Sequence, residues 1–505
     1  MKMKLVHLHP WEKENEDRAN RFHRIERPCE LLTREGRFEA IGLPWNHPDA
    51  EAMACAADVL ILHLLHDMAL EAVIDWRRAR GRATLYEIAD DLSAPAPWRK
   101  FPHRSPLILS ECFHLASRCD GVQFSSAALQ GKYAIVSQRT QVLPNLVEIP
   151  ARLSEKPPGF TVGWAGTRSH REDLRLLVPV LRDLLRLNPG IQLALKGDLE
   201  MLHDLFDELP SAQVRFEDFG SPASYDAFLQ TLHAGIIPLA ATAFNAGRTD
   251  VKLFEYAAAG VVAILQKSAV YGAHLNHTLW FQDPQALGPM LERLHMDPAA
   301  MEVERVRLHA YVLNQGGHAS TLERHAAWYL SHAPASMNNS TLPRTNAWAN
   351  VAMESMQRFE ERGPCESGAV AAVLELLESY PGYLRLRMLA VQVLVRAGSL
   401  SRALSLARPL LTSVMYRDSA VMIALAEAPP SRRARFRRHL RSAVRRVRSL
   451  PFDPDAPLDF ARTVLEHAPF DFFSLMVCAR SQSSDLSLPD RKEIEQRLAL
   501  FESAP

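Results

Sequence analysis

The sequence predicts an α/β protein, two parallel sheets wrapped by helices, followed by an all-α region. Short apolar runs alternate with amphipathic stretches over residues 1–330, the rhythm of strands and helices in alternation. Two of those runs pass through a small-residue turn straight into a helix start, as a parallel strand feeding a helix does. Beyond residue 346 no further strand pattern occurs.

In the first half, Lys2–His9, Phe38–Leu43, Ala57–Leu65 and Ala83–Ile88 read as strands, with helical stretches at Arg18–Glu35, Ala69–Arg80 and Pro106–Arg118 between and after them. Ligands in such sheets bind outside the carboxyl ends of the strands. Glu87, Asp90 and Asp91 form an acidic cluster at one such end. Asp90 or Asp91 would accept a hydroxyl proton, orient hydroxyls or hold a divalent cation; an Asx turn capping the next segment is the alternative. Among the 20 histidines no pair has convincing metal spacing, and no metal site is expected. Pro150–Gly159, ending KPPG, reads as a hinge stiffened by Pro157 and Pro158.

In the second half, the strand Phe160–Trp164 runs into Gly166, Thr167, Arg168, Ser169 and His170, and then into a helix over Asp173–Leu187. Gly163 and Gly166 permit close approach of a backbone or ligand, and Arg168, His170 and Arg171 would neutralise phosphate. A strand over Ile191–Asp198 ends in Lys196, Gly197 and Asp198. Between the apolar runs Ala234–Leu239 and Val261–Leu265 lies FNAGRTDVKLFEYAAAG, Phe244–Gly260, with a helix starting near Thr249 or Asp250. Free amides and the positive dipole end make that start an anion site. Lys252 adds a charge, and Glu255 lies one turn on. The set suits a nucleotide diphosphate, with Glu255 for hydroxyls; a solvated Lys252–Glu255 pair beside an N-terminal cap is the competing reading.

The series GWAGTRSHREDL, LALKGD, GIIPL and FNAGRTDVKLFEYAAAGVVAI resembles the C-terminal, donor-binding half of family 4-like glycosyltransferases of the GT-B fold, in a divergent bacterial branch, over about residues 160–330. The resemblance implies two Rossmann-like domains facing across a cleft: 1–150 on the acceptor side and 151–331 binding a nucleotide sugar, with Met290–Leu330 packing back toward the first. It places Arg168, Lys196 and Lys252 on the diphosphate and Glu255 near the ribose, with Gly166, Thr167, His170, Arg248 and Thr249 as further donor-binding candidates. YEIADDLSAP resembles a YEIDDDL-type segment of the same branch, which makes Asp90 and Asp91 catalytic candidates beside Glu255 and Glu87 an acceptor-side candidate; in related GT-B enzymes the end of the opening strand and the loop after it line the acceptor side, which adds His9, Trp11 and His66 as acceptor-side candidates. One departure concerns the chemistry: Gly247 stands where relatives carry a sugar-contacting glutamate.

The implied activity is transfer of a sugar from a nucleotide diphosphate sugar, with no cofactor required, to a hydroxyl of a surface polysaccharide, lipid-linked glycan or protein, with retention of configuration. A catalytically inactive scaffold acting as a binding partner and a nucleotide-sugar epimerase of the same fold are the alternatives.

Composition fits an intracellular enzyme. Residues number 505, for which a prior of about three domains applies, and 47% are hydrophobic. Net charge is zero, so no overall field draws nucleic acid. The six cysteines, at positions 29, 55, 112, 119, 365 and 478, show no CxxC spacing, which favours reduced thiols. With no signal-like segment and no long uncharged apolar run, cytoplasmic residence is expected, peripheral at the inner membrane face if the arginine-rich stretch described next binds lipid.

Residues 332–347 read as a polar linker and 348–505 as a helical domain. Helical patterns at Ala369–Ser379, Tyr383–Ala397 and Leu400–Leu411 resemble a degenerate tetratricopeptide-type pair, a common binder of protein partners. Ser431–Ser449 carries nine arginines around an apolar stripe of Phe436, Leu440, Val444 and Val447. It reads equally as a helix on an anionic membrane or as one whose stripe packs into the domain.

Overall fold

Met3–His9 (β1), buried along its whole length, is hydrogen-bonded on both sides in a computed structural model of the chain. The structure describes residues 2–10, 18–95, 104–315, 317–336, 342–343, 345, 347–362, 368–417, 461–462, 464–466, 468–480 and 488–501. Around β1 stand Phe38–Pro44 (β2), Val59–His63 (β3), Ala83–Ile88 (β4), Gly121–Phe124 (β5) and Thr140–Val142 (β6), in the order β2-β1-β3-β4-β5-β6. A second sheet joins Phe160–Ala165 (β7), Ile191–Gly197 (β8), Val214–Asp218 (β9), Ala234–Ile237 (β10), Val262–Gln266 (β11) and Leu279–Phe281 (β12), in the order β12-β11-β10-β7-β8-β9. All pairings in both sheets are parallel.

Eight of these strands follow the apolar runs of the sequence; β5, β6, β9 and β12 do not. β6, β9 and β12 are sheet edges, where one open flank removes the need for a continuous apolar run. β5 is short and carries a buried Gln123, whose amide bonds Tyr329 and Trp328.

In each sheet the first strand has its successors on opposite sides: β1 lies between β2 and β3, and β7 between β8 and β10. Crevices therefore open at the carboxyl ends of β1/β3 and β7/β10. The expected helix Arg18–Glu35 contains one wide turn over Phe22–Glu26, where the Arg27 amide bonds Phe22 oxygen. The expected helix Asp173–Leu187 is instead two, Arg171–Arg175 and Val178–Leu187, because Pro179 has no amide to continue the ladder and starts the second helix.

After the second sheet, the helix Pro298–Asn314 packs on its own domain through Leu308 and Val312. The next helix, Gly317–Leu330, crosses to the first domain, where Ala326 and Tyr329 join Met3, Leu5, Phe38 and Val59 in one apolar cluster.

Among the described residues, the later α-helices are Ala349–Arg362, Ala369–Ser379, Leu384–Arg396, Leu400–Ala407, Phe472–Arg480 and Leu488–Ala499. They are built onto the first domain: Met388, Val391, Leu394 and Ala403 share a core with Leu60, Leu62, Val73 and Phe113. Polar contacts fasten the same seam. Tyr383 Oη donates to Asn46 oxygen at 2.6 Å, and the Glu51 carboxylate receives Ser413 Oγ and the amides of Val414 and Met415 at 2.5, 2.8 and 3.0 Å. The arginine-rich stretch 431–449 and Trp11 lie outside the described residues.

Candidate functional site

A cleft of ≈ 220 Å³ lies between the carboxyl ends of the two sheets. Its second-domain wall is made by the turn after β7 and the helix Val251–Ala258 after β10. No side chain caps that helix start; the carboxylate of the flanking Asp250 is instead 2.9 Å from His274 Nε2. The amide of Leu253 bonds Asp250 oxygen at 2.9 Å, and those of Val251 and Lys252 are left for a ligand. At Gly166 a Cβ would stand 2.6 Å from the Trp164 ring and 3.0 Å from Lys252 Nζ, so only glycine leaves room there.

Lys252 Nζ donates to Ala165 oxygen and lies 5.3 Å from the Trp164 ring centroid. Burial lowers its pKa to about 8; Glu255 opposes the shift and Arg248 adds to it. Arg248 donates to Asn245 Oδ1, His170 Nε2 and Ser169 Oγ at 2.9, 2.8 and 2.7 Å. Its pKa is likewise lowered by burial, against the pull of Asp90 and Asp173. Among the described residues, no carboxylate forms an ion pair with Arg248 or Lys252.

Other donor-side candidates are placed differently. The Arg168 side chain, 44% exposed, is turned to Asp198 (3.0 Å) and Glu200 (2.6 Å) and does not line the cleft. Those two carboxylates at the following helix start claim its charge. Lys196 does line the cleft, 3.3 Å from Glu217 Oε2. Thr167 Oγ1 is 2.8 Å from Ser169 Oγ, and Thr249 Oγ1 accepts from Asn145 Nδ2 at 2.9 Å. Glu255 has both oxygens held, Oε2 by Tyr225 Oη at 2.8 Å and Oε1 by His23 Nε2 at 3.3 Å.

On the first-domain wall, Asp90 faces the cleft and accepts from Asn20 Nδ2 at 2.5 Å. Asp91 does not face it. Its buried carboxylate takes Tyr133 Oη at 2.5 Å, Lys132 Nζ at 2.9 Å, and the amides of Ser93 and Ala94 at 3.1 Å, which is the Asx-turn alternative. Glu87 is fully buried behind the wall, bonded to Arg24 and, at 2.9 Å, to His63 Nδ1. Burial alone would raise its pKa, but the Arg24 guanidinium and His63 hold it well below the usual carboxylate range. His9 is buried with Nδ1 2.7 Å from Pro10 oxygen, and burial lowers its pKa to about 4. His66 is exposed, 3.5 Å from Glu111. Neither lines the cleft.

The residues that line the cleft and were not singled out from sequence include Asn20, His23 and Arg24. Their i, i+3, i+4 spacing on the helix that follows β1 is the signal that would have found them. Arg24 Nη1 also donates to Asn145 Oδ1 at 2.9 Å, and Asn145 in turn holds Thr249, so a polar chain crosses from one domain to the other.

Gly247 is a contact point between the domains. Its oxygen receives Ser126 Oγ at 2.9 Å, and a Cβ there would stand 2.8 Å from Leu129 Cδ2 and 3.4 Å from Asp91 Cβ. Its φ of −83° suits any residue, so glycine is required by space alone. Gly247→Glu is expected to cost about 1–3 kcal/mol by overpacking, read as a lower denaturation midpoint, with Leu129→Ala recovering part of the loss. Unchanged stability would mean that the domains do not meet here.

Two six-stranded parallel sheets wrapped by helices, with their carboxyl ends facing across one cleft, are the two Rossmann-like domains of the GT-B fold. Solved structures similar to the chain include TarM, at 9% identity over 54% of each chain with a TM-score of 0.41. A UDP-forming α,α-trehalose-phosphate synthase from Burkholderia xenovorans matches at 12% identity over 66% of this chain and 100% of that one, with a TM-score of 0.44. The pneumococcal O-GlcNAc transferase GtfA, in complex with UDP and GlcNAc, matches at 11% identity over 54% of this chain and 56% of that one, with a TM-score of 0.41. The chain thus spans 54% of TarM and 56% of GtfA. No protein-family model and no curated protein matches it. Among the described residues, no group of three or more His, Cys, Asp or Glu is arranged to hold a metal ion, and no helix is long and apolar enough to cross a membrane.

Proposed function

We propose that the chain is a glycosyltransferase that moves a sugar from a nucleotide diphosphate sugar to a hydroxyl of a glycan, lipid-linked glycan or protein. One observation carries this reading: Arg248 and Lys252 face the same cleft beside an uncapped helix start, and among the described residues neither is paired with a carboxylate. Two cations in so enclosed a place cost desolvation energy that an anionic ligand would offset. A diphosphate supplies the matching charge.

In this reading Arg248, Lys252, Lys196 and the helix amides of Val251 and Lys252 stabilise the departing diphosphate, the main electrostatic demand of the step. Glu255, oriented by Tyr225 and His23, accepts from the ribose hydroxyls. Asp90 takes the acceptor proton as the acceptor oxygen bonds the anomeric carbon and the bond to the diphosphate breaks. Arg168 serves only if it leaves Asp198 and Glu200. Retention of configuration, which requires the acceptor oxygen to enter on the face that the diphosphate leaves, belongs to the same reading, as do a protein partner for 348–505 and an anionic membrane for 431–449.

A second reading, a nucleotide-binding scaffold without turnover, is favoured by one contact. Leu129 fills the space in front of Gly247, where a sugar-contacting glutamate would reach. Calorimetry with uridine, guanosine, adenosine and thymidine diphosphate sugars, followed by product analysis with and without hydroxyl acceptors, separates the cases. Binding with acceptor-dependent release of nucleoside diphosphate is expected. Binding without release supports the scaffold, and conversion of the donor sugar without acceptor would mean an epimerase. No binding of any donor would overturn the nucleotide-sugar site.

A further inference from the structure

Arg248 belongs to a closed ring of hydrogen bonds. Its Nε donates to Asn245 Oδ1 at 2.9 Å and its Nη1 to His170 Nε2 at 2.8 Å. Both of those partners then converge on one carboxylate. Asn245 Nδ2 donates to Asp173 Oδ1 at 2.8 Å, and His170 Nδ1 to Asp173 Oδ2 at 2.7 Å. A guanidinium has donors only, so His170 Nε2 must be bare and Nδ1 must carry the proton. The ring therefore selects a neutral imidazole of one tautomer and keeps the Asp173 charge one residue away from the guanidinium.

Asp173 is itself anchored. It is 2% exposed, and its Oδ1 also accepts the Ala240 amide at 2.8 Å, tying the short helix Arg171–Arg175 to the loop after β10. The third guanidinium nitrogen, Nη2, donates to Ser169 Oγ at 2.7 Å. Three of the five N–H groups are thus engaged, which leaves one on each terminal nitrogen, the spacing at which an arginine takes two oxygens of one phosphate.

We propose that Asp173, His170 and Asn245 are positioning residues that hold the Arg248 fork for one phosphate of a nucleoside diphosphate. His170 acts as a hydrogen-bond acceptor to the arginine and not as a contact to the donor. The proposal rests on the nucleotide-sugar reading above. It accounts for why a histidine and an arginine, both suited to phosphate, stand in contact within the same cleft: the histidine is spent on the arginine.

The test is calorimetric titration of the full chain with uridine, guanosine, adenosine and thymidine diphosphates and with inorganic pyrophosphate, each variant's melting temperature being recorded. His170→Ala is expected to weaken binding by about tenfold, while His170→Gln, which keeps an acceptor toward Arg248, stays within about threefold of the parent. Asp173→Asn places an amide donor against Nδ1 and turns the imidazole so that an N–H faces Arg248; a loss of about tenfold is expected although the side chain keeps its shape. In an Arg248→Ala background, His170→Ala and Asp173→Asn are expected to add nothing, because they act through the missing guanidinium. Equal losses with and without Arg248, a glutamine variant as weak as the alanine one, or losses that follow a fall in melting temperature would each overturn the proposal. If the parent chain binds none of the diphosphates and no pyrophosphate, the nucleotide-sugar reading fails and the proposal falls with it; binding by the parent with additive losses sinks the proposal alone.

Discussion

Asp90→Asn is expected to lower the turnover number for sugar transfer by about 10²–10⁴-fold while nucleoside diphosphate binding stays near that of the parent. Asp90 faces the cleft, and its carboxylate keeps lone pairs beyond the single bond from Asn20. Of the acidic cluster after β4 it is the one member so placed. Asp91 is spent on Tyr133, Lys132 and two backbone amides, and Glu87 on Arg24 and His63. Asp91→Asn is therefore expected to act on stability, because Lys132 loses its counter-charge, with turnover per folded molecule retained. Single-turnover assays beside denaturation curves separate the two. If Asp91→Asn abolishes transfer at full stability while Asp90→Asn leaves it intact, the assignment is reversed.

Lys252→Ala is expected to weaken nucleoside diphosphate binding by about 100-fold, the loss of a charge-assisted contact inside a buried site. The pH dependence follows from the same lysine. Burial brings its free-state pKa to about 8, and a bound diphosphate favours the charged form and raises it. Affinity should then be flat on this account below pH 7 and fall by about tenfold per unit above pH 8, until the pKa of the bound state is reached. Lys252→Arg, always charged, should flatten that fall. Parent affinity that stays level to pH 9.5 would remove Lys252 from the anion site.

The extent to which the site was legible in sequence varies from residue to residue. Lys252, Glu255 and Asp90 were legible because each stands at a strand end or helix start, positions that a parallel α/β pattern turns toward the ligand crevice. Arg168 met the same criterion and yet points away, since the Asp198 and Glu200 carboxylates compete for it more closely than the cleft does. Asn20, His23 and Arg24 went unread because the helix after β1 shows mainly charge in sequence. Only the first-domain fold brings that helix against Asn145, and only the packing of the two domains brings it against Glu255.

Local apolar periodicity, acting within about ten residues, by itself determined most of the strand and helix alternation and the helix start at 251. Tertiary structure alone decided which of several arginines and carboxylates face the cleft, because a charge turns to whichever partner the packed chain places nearest. It also decided the meaning of Gly247: the sequence resemblance marks it as a departure from a family pattern, and in the fold it is the gap into which Leu129 of the other domain fits.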